Sequence, residues 1–62
     1  MTDKQAINRA YTALRRSLGY VNGQVIQLHG IKCMEETRDS LCDIRYKLEI
    51  ELEIINEKLK EL

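Results

Sequence analysis

A chain of 62 residues can hide only about 60% of the surface its unfolded form exposes, so it needs a disulfide, a metal, very regular helix packing or further copies of itself. Apolar residues are 44% and charged residues 32%, which excludes disorder by composition; proline is absent, and the prevailing Leu, Ile, Glu, Lys and Arg are helix formers. The net charge is zero, which argues against general electrostatic binding to nucleic acid, and no apolar run approaches the ~20 residues needed to cross a bilayer.

The N-terminal stretch "MTDKQAINRA" has no apolar centre and does not read as a secretory signal, so a cytoplasmic protein is expected. Thr2 suits an N-cap, and Gln5 three residues later completes a capping box. Ile7, Tyr11, Leu14, Leu18, Val21, Val25 and Leu28 then follow at alternating spacings of four and three, one seam of a helix expected over about residues 3–29. The seam runs straight through Asn22-Gly23, a pair that between β-branched residues also signals a β-hairpin turn. Pairing strands across that turn would set Val21 against Gln24 and Gly19 against Ile26, and neither face becomes cleanly apolar. Helix is therefore the preferred reading. A hairpin turn, or a kink between Gly19 and Gly23, is the alternative.

Gly30 reads as a helix stop, with His29 before it at the negative end of the helix dipole. A loop of about residues 30–33 is an ordinary length for joining antiparallel helices. A second helix is expected over about residues 34–61, starting near Cys33 or Met34 without a convincing cap. Its seam is Met34, Leu41, Leu48, Ile55 and Leu62, with Leu52, Leu59, Arg38 and Arg45 at the alternate positions. Antiparallel pairing sets Leu28 near Met34, Val21 near Leu41, Leu14 near Leu48 and Ile7 near Ile55. Residues 1–32 carry +4 and residues 33–62 carry −4, so the two halves attract one another or another copy's halves.

The expected fold is all-α: an antiparallel two-helix hairpin. Such a hairpin has one interface and cannot enclose a core. Tyr46, Ile50 and Ile54 form a further apolar stripe off the second seam, and Ile44, Tyr20 and Ile26 are left over. Burying each such side chain contributes about 1.5–3 kcal/mol. Association into a four-helix bundle or a larger helical homo-oligomer is the expected outcome, with Tyr46, Ile50 and Ile54 at the interface.

Chemistry is sparse. Cys33 and Cys42 are too far apart on one helix for a disulfide and read as buried or half-buried thiols. His29, Cys33 and Cys42 lack metal-site pairing, and His29–Cys33 lacks an orienting third group, so neither a cofactor, a metal nor a catalytic site is expected. Arg38 and Arg45 on the seam either lay their stems over the core or hold an anion or an acidic partner at an oligomer interface. Gly19 and Gly23 are a weak spot or a smooth face for a partner helix or ligand. With Tyr11 these residues form the candidate partner or ligand site. Lys4, Arg9, Arg15 and Arg16 form a basic face that meets acidic residues of a neighbour or, in the alternative, RNA phosphates.

In length, two-helix layout and polar outer face of the first helix, the chain is similar to the plasmid-encoded Rop family of RNA-binding helical hairpins, which dimerise into four-helix bundles. The likeness is one of layout, and no residue motif carries over. The function expected is non-enzymatic binding by a homo-oligomer, through another protein or an anionic small ligand held between protomers, with no membrane role. A small phage- or plasmid-type regulator or inhibitor is the setting that analogy suggests. The alternatives are an RNA-binding bundle and a structural assembly subunit.

Overall fold

Thr2 starts the first helix. In the computed structural model, which describes residues 1–62, the Gln5 backbone N–H donates to Thr2 Oγ1 at 3.2 Å, and the Thr2 N–H donates to Gln5 Oε1 at 3.0 Å. This reciprocal box satisfies two donors that a helix start leaves free, and such a cap contributes about 1 kcal/mol. Helix α1 then runs from Asp3 to Leu28, uninterrupted through Asn22 and Gly23. The β-turn reading of that pair is excluded. A turn there would have split the apolar seam between two faces, whereas the helix keeps Ile7, Leu14, Val21 and Leu28 on one stripe.

The reversal of direction depends on Gly30. His29 caps α1, its N–H donating to the Ile26 carbonyl at 3.2 Å, and Gly30 follows at φ +84°, the single positive φ in the chain. A side chain in that conformation costs roughly 1–2 kcal/mol, which is why glycine stands there. One 3₁₀ turn, Lys32–Met34, leads into α2, Glu35–Glu61. No side chain caps α2; the Met34 N–H donates to the Ile31 carbonyl at 3.0 Å, and Glu35 and Glu36 meet the positive end of the dipole. The short turn takes up residues that the apolar period alone would have assigned to the helix.

The two helices pack against each other along the seams. Ile7, Tyr11, Leu14, Leu18, Val21, Val25 and Leu28 are all half-buried, and so are Met34, Leu41, Leu48, Leu52, Ile55 and Leu59. Leu62 keeps the period but lies beyond the end of α2 and is 61% exposed. Arg45 Nη1 donates to Asn22 Oδ1 at 3.0 Å across the interface, which sets the middle of α2 beside the last third of α1.

No residue of the hairpin is buried. The molecule measures 46 × 16 × 11 Å, with a radius of gyration of 14.4 Å, against about 10.6 Å for a compact chain of this length. It exposes 5002 Å², where a compact monomer of its mass exposes about 4,200 Å². The excess is about the area that one partner contributes to a standard protein interface.

Candidate functional site

Three surface features collect the residues singled out from the sequence. The first lies between the helices, a shallow groove of about 320 Å³ lined by Arg15, Leu18, Gly19, Asn22, Arg45 and Glu49. Helix geometry puts these residues together. Arg15 and Asn22 are seven apart and share one edge of α1, while Arg45 and Glu49 are one turn apart on α2. The Arg15 guanidinium lies 5.9 Å from the centroid of the Tyr11 ring, within cation–π range. Arg45 is held by the neutral Asn22 amide. Neither Arg15 nor Arg45 has a carboxylate within 4.0 Å, since the ion pairs of the hairpin are Arg38–Asp39 and Lys60–Glu57. A Cβ added at Gly19 would meet nothing within 4 Å, so the groove stays open there. Two fork-shaped cations beside a gap can grip a carboxylate or phosphate in bidentate fashion.

A second groove lies wholly on α1, lined by Asn8, Arg9, Thr12, Ala13 and Arg16. It divides the basic face. Arg9 and Arg16 share this outer groove, and Arg15 turns toward α2 because consecutive helical residues are about 100° apart. Lys4 is exposed near the start of α1. Thr12 Oγ1 donates back to the Asn8 carbonyl at 3.0 Å, so its hydroxyl is already engaged.

The third feature is the outer side of α2. Tyr46, Ile50 and Ile54 are 65%, 38% and 42% exposed, and the two isoleucines line a hollow with Glu53, Glu57, Lys58 and Glu61. The apolar stripe is thus edged mainly by carboxylates.

Other singled-out residues stand apart from these features. Arg38 is half-buried on the seam and reaches Asp39 of its own helix at 3.4 Å. It is not brought to the Arg45 groove. Gly23 also has open space where a Cβ would project. Cys42 is half-buried as the sequence suggests, but Cys33 is exposed, because the 3₁₀ turn carries it off the seam of α2. No group of three His, Cys, Asp or Glu side chains is arranged to hold a metal ion, and no helix is long and apolar enough to cross a membrane. Asn22 and Glu49 joined the groove unannounced. The seven-residue spacing of Arg15 and Asn22 is the signal that would have found one of them.

Comparison with protein-family models, with curated proteins and with solved structures gave no significant match to this chain.

Proposed function

We propose that this chain is a non-enzymatic binding protein that works as a homo-oligomer, hairpins closing a four-helix bundle over their half-buried seams. It acts through contacts with another protein or through an anionic ligand held where protomers meet. One observation carries the oligomer: both seams are regular and mainly apolar, Arg38 and Arg45 apart, yet no residue along them is buried. Apolar stripes of this width are covered in stable helical proteins, and a second hairpin supplies the matching surface.

Arg15 and Arg45 support the anion. Both guanidinium groups lie at the interhelical groove without a carboxylate partner, beside the open space at Gly19. The RNA reading relies on Lys4, Arg9, Arg15 and Arg16 acting as one patch, and their division between two grooves favours it less. A regulator or inhibitor fits a small oligomer of this kind, and a purely structural subunit would need the oligomer alone.

Light scattering at moderate salt over a range of concentrations tests the oligomer. A mass of two or more chains is expected. A single chain at every concentration overturns the proposal. Thermal stabilisation by small carboxylates or phosphates, lost in Arg45→Ala, tests the ligand; a gel shift with RNA, lost in Arg9→Ala/Arg16→Ala and weakened by salt, would instead establish the alternative.

A further inference from the structure

The outer sides of the two helices complement each other. The α1 groove carries Arg9 and Arg16 around Thr12 and Ala13. The α2 hollow carries Glu53, Glu57 and Glu61 around Ile50 and Ile54. Neither is occupied by the partner helix of the same hairpin, and neither belongs to the seam.

Their heights along the hairpin agree as well. Arg45 shares a groove with Arg15, Leu18, Gly19 and Asn22, whose midpoint lies between Leu18 and Gly19. Both helices rise ~1.5 Å per residue, so each step forward on α2 matches one step back on α1. Ile54 is then level with Arg9 and Ala10, Ile50 with Ala13 and Leu14, and Tyr46 with Ser17 and Leu18. Helical side chains lean toward the N-terminus of their own helix. Because the helices are antiparallel, Arg16 leans toward the level of Glu53 and Glu53 leans back toward Arg16. Arg9 leans in the same way toward the level of Glu57.

We infer that the occupant of the outer α2 stripe is the outer α1 face of a second copy of this chain. The copy is set beside the first by a sideways displacement, without being turned over. Such a displacement keeps every level in register. Arg16 meets Glu53, Arg9 meets Glu57, and Ile50 and Ile54 lie over the short side chains of Thr12 and Ala13. Tyr46 lies at the end of the same contact, level with Ser17. The contact is heterologous, so each copy offers one face and uses the other; repeated displacement extends a row, and a turn about the long axis at each step would close it into a ring. This contact uses faces other than the seams and goes beyond the bundle proposed above.

The test is a charge exchange. Four forms are compared by sedimentation at low and high salt: wild type, Arg9→Glu/Arg16→Glu, Glu53→Arg/Glu57→Arg, and the combination of all four substitutions. Circular dichroism confirms that each is helical. Wild type at low salt is expected to reach a mass at least about twice that of its high-salt form, because exposed ion pairs are screened. Each double variant loses that step. An equimolar mixture of the two double variants regains it, since each offers the face the other needs, and so does the fourfold variant alone. Double variants that assemble like wild type, or a mixture that stays at the high-salt mass, overturn the inference. The seam bundle is read separately, as the mass that persists at high salt: its loss with a charge-exchangeable step retained would sink the seam reading alone.

Discussion

Arg45 of α2 and Asn22 of α1 make the one side-chain hydrogen bond that joins the two helices, Nη1 to Oδ1 at 3.0 Å. It lies at the edge of the interface, beside seams made mainly of apolar side chains. A polar tie of this kind sets height along the helices more than it adds energy, because apolar contacts alone tolerate a slip by one heptad.

A double-mutant cycle measures that tie. Asn22→Ala alone should change stability little, since the lost bond is offset by the better helix propensity of alanine. The coupling energy between Arg45→Ala and Asn22→Ala is expected at about 0.5–1 kcal/mol from paired urea titrations. A coupling near zero would mean that the bond does not persist in solution.

The three glycines should respond in opposite directions. Gly19 and Gly23 are helical, with open space where a Cβ would project. Alanine at either position is expected to raise stability by about 0.5–1 kcal/mol in the hairpin. Gly30→Ala should lower it by roughly 1–2 kcal/mol, because φ there is +84°. Thermal melts of the three variants check the pattern, and a loss at Gly19 would report a helix packed close against it.

Removal of the N-cap is a further measurement. Thr2→Ala abolishes the Gln5 N–H to Oγ1 bond and should cost about 1 kcal/mol, a fall of roughly 4–8 °C in Tm for a domain of this size. Thr2→Ser should retain most of the stability.

Seam truncation separates a solitary hairpin from a bundle. Leu14 and Leu48 are each half-buried in one hairpin. If a second hairpin covers them, Leu48→Ala should cost the 2–5 kcal/mol typical of a core leucine, and the Tm of wild type should rise with concentration. A cost below about 1 kcal/mol, with a Tm independent of concentration, would match a leucine that is never fully covered.

The thiols give a direct check on the connection. Cys33 lies in the exposed 3₁₀ turn and Cys42 is half-buried on α2. A thiol reagent should modify Cys33 first, with Cys42 following at the rate of local opening. Equal rates would contradict the seating of Cys42.

The architecture was legible because one signal dominated. Seven seam residues of α1 at alternating four and three cannot all be satisfied by strands, and that outweighed the local preference of Asn22-Gly23 for a turn. Thr2 with Gln5, and Gly30, marked the ends of α1 by chemistry that acts locally. The start of α2 was less clear, since it has no side-chain cap and the 3₁₀ turn at Lys32–Met34 belongs to neither period. Leu62 kept the heptad spacing past the last helical residue, which spacing alone has no means to detect. The groove around Arg45 depends on how the two helices are aligned, a long-range fact that neither helix carries by itself. The split between Arg15 and Arg16 was present in the sequence, as adjacent residues on a helix point in different directions.

Helices of 26 and 27 residues joined by a tight reversal bring Met1 and Leu62 out at one end of a 46 Å rod and place Gly30 at the other. A fluorescent protein or a surface tether attached at either terminus therefore leaves the opposite tip unobstructed. Donor and acceptor dyes on the two termini would report the parting of the helices from a single short distance.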